Sequence, residues 1–229
     1  MVFFLSVHSV MGEVELIEKH KILMVHSDFF FYGKSATSQL AEQIAADIQQ
    51  QWNQPQAKIK WKGSWYEVRF DIDGFYEPDL SPETVWYNTN PRFNFFRIEE
   101  WSPVDVSFVD GIGSNTGYFK WINLQQTATT AAHEYGHSLG LDHPSVIDVR
   151  GKGIPGIMYP RGTLCDPQYQ YEEQKPAGVP GGTLNPKYRQ VLQTDIDALR
   201  LEKLRFNQDN FAVLGAFSSV YHSDYSDSE

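Results

Sequence analysis

One cysteine stands in 229 residues, so a disulfide within the chain is impossible and a disulfide-stapled scaffold is excluded. Runs of basic residues are missing too. Asp and Glu outnumber Lys and Arg by 29 to 19, and a formal net charge of −10 leaves no clustered cations for a phosphate backbone. No nucleic-acid partner is therefore expected. No apolar stretch approaches the ~20 residues of a membrane-spanning helix, so no membrane span is expected either. At the N-terminus, residues 2–5 are apolar, but His8 and Ser9 interrupt them and no basic residue precedes them. That is a poor match to a secretory signal. An internal repeat is also absent.

What is present is the patterning of a globular α+β chain, long enough to bury a substantial core. KILMVHSDFFFY (21–32) is rich in β-branched and aromatic residues and predicts a strand. Residues 35–54 predict a helix, because Leu40, Ile44, Ile48 and Trp52 recur every four residues and Pro55 stops the run. Residues 57–76 suggest two strands with a turn near Gly63, and 104–110 and 116–122 suggest two more around the glycine-rich turn GIGSN. A second helix is expected over 127–141, an irregular Pro- and Gly-rich segment over 144–186, and a third helix over 186–204. The domain expectation is an N-terminal extension (1–20), one domain (21–205) and a polar, finally acidic tail (206–229).

The stretch AAHEYGHSLGLDHP (131–144) holds three of the seven histidines within eleven positions. On a helix, His133 and His137 project from one face, one turn apart, a spacing at which two imidazoles can bind one Zn²⁺. Glu134 lies beside that face, where a carboxylate can reach a metal-activated water without ligating the metal. Gly140 can adopt a left-handed conformation that turns the chain and brings back His143 as a third nitrogen ligand. Three protein ligands leave a fourth position for water, which marks a catalytic site. Two weaker signals fall away. GKS (33–35) lacks the P-loop glycine, because position 28 is Asp28, and it fits a strand-to-helix turn with Ser35 or Thr37 near the cap. DIDG (71–74) lacks the rest of a calcium loop, so Ca²⁺ is possible but not indicated. Cys165 reads as a plain free thiol.

HEYGHSLGLDH resembles the H-E-x-x-H-x-x-G-x-x-H signature of the metzincin clan of zinc metallopeptidases. GIMYP (156–160) is similar to the clan's Met-turn, with Met158 fifteen residues after His143. GLDH and MYP are most similar to the matrixins, the matrix metalloproteinase type. Pro144, a long path to Met158, and Pro160 where some clan members place a ligating Tyr are departures from that family. The resemblance implies a zincin fold: a twisted mixed β-sheet with long helices, one bearing the zinc motif, then the Met-turn and a C-terminal helix. It implies a secreted, monomeric zinc endopeptidase with one catalytic Zn²⁺ on His133, His137 and His143, and Glu134 as general base and acid. Protein or peptide substrate would lie extended along an edge strand. The best candidate for that edge is 113–120, with Gly117 and Tyr118 as substrate-binding residues, while Tyr159 and Pro160 would wall the pocket for the side chain after the scissile bond. The alternatives are a zinc-stabilised binding module without hydrolysis, and a toxin or effector peptidase with a dedicated target.

Overall fold

The computed structural model describes residues 12–126 and 129–224. Among them eight strands form one curled mixed sheet: β1 (Glu13–Ile17), β2 (Ile22–Tyr32), β3 (Lys58–Trp61), β4 (Ser64–Tyr76), β5 (Phe93–Glu99), β6 (Phe108–Val109), β7 (Thr116–Lys120) and β8 (Phe211–Val213). Five helices accompany them: α1 (Ser38–Asn53), α2 (Pro82–Trp86), α3 (Trp121–Gln126), α4 (Thr129–Ser138) and α5 (Gln193–Ala198). The sheet order is β3-β4-β2-β5-β7-β6. The inner pairs β4–β2, β2–β5 and β5–β7 are parallel, whereas β3 and β6 close the two ends antiparallel. β1 pairs with the first half of β2 and β5 with the second half, so β2 is flanked along its whole length.

β2 shows why the layers form. Leu23, Val25, Ser27, Phe29 and Phe31 alternate with half-exposed residues and are buried on one face. Side chains alternate across a strand, so that face must be covered. α1 covers it with Leu40, Ile44, Ile48 and Trp52, the stripe visible in the sequence, and Thr37 caps it by accepting the Leu40 N–H at 3.1 Å. α4 lies on the same face. Trp52 ties the two helices: its Nε1 donates to Ala132 O at 3.0 Å, and its ring meets Tyr135 edge-on at 5.6 Å. Tyr135 in turn exchanges a buried hydrogen bond with Ser27 of β2 at 2.8 Å. α2 sits with a smaller cluster, Tyr32, Leu80, Val85 and Phe95.

Several expectations need correction. β5, a central strand, falls in a stretch assigned no element, although FNFFRIE carries three aromatic or branched residues that are fully buried, Phe95, Phe96 and Ile98. The strand expected to run to 122 ends at Lys120, where α3 begins. The continuous helix over 186–204 does not form. Leu192 is extended (φ −114°, ψ 164°), the Asp195 carboxylate accepts its N–H at 2.8 Å and so starts α5 only there, and Arg200 is left-handed (φ 55°). The expected extension and tail are partly built into the sheet: β1 lies within 1–20, and β8, within 206–229, pairs with it. His222 is buried against Asp110 at 2.9 Å, and its carbonyl accepts from Arg97 Nη1 at 3.0 Å. Residues 1–11 and 225–229 of those two segments, and 127–128 at the expected start of the second helix, lie outside the described residues. No described helix is long and apolar enough to cross a membrane.

Trp52 is 1% exposed and touches both helices and the sheet. Trp52→Ala should cost roughly 3–5 kcal/mol of unfolding free energy. The measurement is the shift of the urea midpoint, and a change under about 1 kcal/mol would contradict this packing.

Candidate metal centre

All ten residues of α4, TTAAHEYGHS, are buried. A helix this polar gains little from burial, so its polar groups need partners. Thr129 Oγ1 donates to Pro186 O at 2.7 Å and Thr130 Oγ1 to Asn123 O at 3.2 Å. At the C-terminal end Gly140 takes φ +97°, with Leu141 N–H bonded to Gly136 O and Gly140 N–H to His137 O. This 6→1 and 5→2 pair satisfies the last carbonyls and swings the chain back over the helix. Asp142 Oδ1 then accepts the His143 N–H at 2.7 Å.

The turn places three imidazoles around one point. His143 Nε2 lies 3.0 Å from His133 Nε2 and 3.1 Å from His137 Nε2. Each α4 ring is held from behind: His133 Nδ1 donates to Ile157 O and His137 Nδ1 to Leu141 O, both at 2.7 Å. A proton on Nδ1 leaves the Nε2 lone pair free, which is the tautomer a metal ligand needs. Burial holds the pKa of all three imidazoles below the usual value, with the Arg189 charge adding to the effect, so they are neutral donors near neutral pH. Converging lone pairs at such separations repel one another without a shared cation. Nitrogens bonded at about 2.0–2.1 Å to a tetrahedral zinc-sized ion would sit about 3.3 Å apart, close to what is found. The three histidines could thus hold a metal ion, and among the described residues they are the one such cluster.

Met158 packs against the α4 backbone at Gly136. It is 3% exposed, in a turn closed by Tyr159 N–H to Gly156 O at 3.2 Å. A Cβ on Gly136, between the two α4 histidines in sequence, would come within 2.3 Å of its sulfur, so only glycine permits this approach. The same turn supplies Ile157 O to His133. Asp195 at the start of α5 anchors it through the Ile157 backbone.

Glu134 faces a cavity of about 200 Å³ that it shares with His133, His143 and Pro160. Its carboxylate has no hydrogen-bond partner among the described residues, and burial pushes its pKa up to about 8 against a smaller opposing pull from Arg189. Pro160 is thus brought to the site. Tyr159 lies at its edge, its carbonyl accepting from Arg189 and its residue lining a second cavity with Met158. Gly117 and Tyr118 are not brought there as an edge. β7 is paired on both sides, by β5 and β6, and Tyr118 is 1% exposed, so the free edge is β6 with the exposed 103–106 before it. Sequence reasoning missed Arg189, which is 5% exposed and reaches Thr129, Tyr159 O and His133. A lone arginine in a segment that reads as an amphipathic helix gives no signal of that placement. Cys165 is buried with Val149 and Leu184.

Compared with protein-family models and with curated proteins, the chain matches none. What the site does has to be argued from its own atoms.

The Glu134 shift has a sign. A carboxyl with a raised folded pKa favours the fold at low pH, and that contribution is lost as pH rises from the ordinary carboxylate range through about 8. In metal-free protein, Glu134→Gln should therefore melt higher than wild type by a margin that grows from pH 5 to pH 8.5. A margin constant with pH would contradict the burial of this carboxylate.

Proposed function

We propose that the chain is a zinc-dependent endopeptidase of the metzincin type, most similar to the matrixins, acting on protein or peptide substrates. The observation that carries this reading is the convergence of three tethered, neutral imidazoles beside a buried carboxylate that has no structural partner. A buried group held away from its ordinary pKa at the edge of an open cavity is a candidate for proton transfer. The Met158 turn, which packs on Gly136 and supplies Ile157 O to His133, adds support, as does the parallel sheet with an antiparallel edge beside the site. A non-catalytic metal module would have no use for Glu134 in that position.

Zinc on His133, His137 and His143 supplies the Lewis acidity that makes water a nucleophile near neutral pH. The rest is the work of this chain. An extended peptide pairs with the outer edge of β6, adding a strand, and so carries its scissile carbonyl past the three Nε2 atoms. The Ile157 and Leu141 carbonyls keep the His133 and His137 rings in register throughout. With the charge of a bound zinc beside it lowering its raised pKa, Glu134 would be ionised near neutral pH, and it accepts the proton from the attacking water and delivers it to the departing amine nitrogen. Secretion and a monomeric state belong to the same proposal.

Metal analysis of purified protein should return about one zinc per chain, lost in His143→Ala. Glu134→Ala should keep the zinc and lower kcat/KM on a peptide library by roughly 10²–10⁴. Cleavage by that variant at the wild-type rate would remove Glu134 from the mechanism.

A further inference from the structure

Apolar atoms make up most of the wall of the cavity beside His133 and His143, and among the charged side chains that line it cations outnumber anions. Arg189 lines its wall with its side chain almost wholly buried, and Arg161 lies exposed where the Met158 turn meets solvent. Against these two guanidinium groups stands one carboxylate, Glu134. The neighbouring polar groups are matched to one another: Thr130 with Asn123 O, and Asn123 Nδ2 with Ser107 Oγ at 3.2 Å.

Arg189 is not matched in the same way. Nη1 donates to Tyr159 O at 3.1 Å and Nη2 to Thr129 Oγ1 at 3.2 Å. Nη1 also faces His133 Nδ1 at 2.9 Å, but that nitrogen carries a proton when it donates to Ile157 O, and so cannot accept. Nε is buried with no partner. Neither of its two acceptors is charged, so the buried guanidinium has no carboxylate partner among the described residues.

We infer that this cavity takes a carboxylate carried by the substrate residue that follows the scissile bond, with Arg189 as the specificity-determining residue and Arg161 assisting at the mouth. Planar, charge-assisted donation to a carboxylate is what a guanidinium does best. The inference rests on the peptidase reading for the position of the substrate. The carboxylate could be an Asp or Glu side chain, or the chain end of a substrate with a single residue after the cleaved bond.

The test is calorimetric binding of short peptides with a reduced, uncleavable bond to the zinc-loaded protein. One carries Glu after that bond with a blocked end, a second carries Gln with a blocked end, and a third ends in a free carboxylate on an alanine. A fourth is the amide of the third. Roughly tenfold or tighter binding of the Glu over the Gln peptide is expected. Arg189→Met should bring that ratio near one with zinc content retained, Arg189→Lys should restore part of it, and Arg161→Ala should lower it a few-fold. A preference for the free acid over its amide, with Glu and Gln equal, supports the same site with the chain end as source. Equal binding within both pairs by wild-type protein overturns the inference, even if Arg189→Met fails to fold. Ordinary peptides of the same four sequences separate the two readings. Cleavage at equal rates for Glu and Gln and for acid and amide overturns the carboxylate pocket and leaves the peptidase. Binding preference without any cleavage does the reverse.

Discussion

Two backbone carbonyls hold the site in shape. Ile157 O and Leu141 O each take the Nδ1 proton of an α4 histidine, and in doing so turn two Nε2 lone pairs toward the third imidazole. Without those bonds the rings could rotate and the tautomers exchange, and three histidines close in sequence would be no more than polar residues on a buried helix. The carbonyls come from different places. Leu141 O is delivered by the Gly140 turn that ends α4, whereas Ile157 O arrives from the Met158 turn, itself anchored by Asp195 at the start of α5. The site is therefore a junction of three segments rather than a property of one helix.

That junction is expensive. Ten buried residues of α4 include His133, Glu134 and His137, and burial pushes the Glu134 pKa up to about 8. The rest of the fold offsets this. Phe29, Trp52, Phe70 and Tyr135 interlock with ring centroids 5.1–6.3 Å apart, and the Trp52–Ala132 and Tyr135–Ser27 hydrogen bonds pin α4 between α1 and β2. A cluster of neutral imidazoles, an under-bonded guanidinium and an unpartnered carboxylate are costly to bury on such a frame, which marks the place as a candidate site.

Local patterns were readable where one physical cause dominated. The stripe of Leu40, Ile44, Ile48 and Trp52 has the period of a helix and nothing in its span competes, so α1 forms as expected between Thr37 and Pro55. The alternation in β2 and the Gly63 turn behaved likewise. Failures came where long-range contacts override local preference. FNFFRIE lacks clean alternation because β5 is buried on both faces between parallel neighbours, so its period is hidden. The apolar spacing over 186–204 is helical, yet Arg189 and Asp195 are claimed by the junction around the three histidines, and the chain breaks to let them reach it. Edge status was unreadable for a similar reason: whether β7 or β6 faces solvent is decided by a two-residue strand that pairs back on it.

By itself, then, the order His133, Glu134, His137, Gly140, His143 determined which side chains would meet, because helical period and a left-handed glycine are local geometry. So did the α+β class, through the two periods of its elements. Tertiary structure alone decided the tautomers, through carbonyls brought from Leu141 and from the distant Ile157, and the free edge, through sheet order. It also decided that Arg189, some fifty residues beyond the motif, stands in the same cavity as Glu134. Each of those depends on contacts between segments far apart in the chain, which no spacing within one segment encodes.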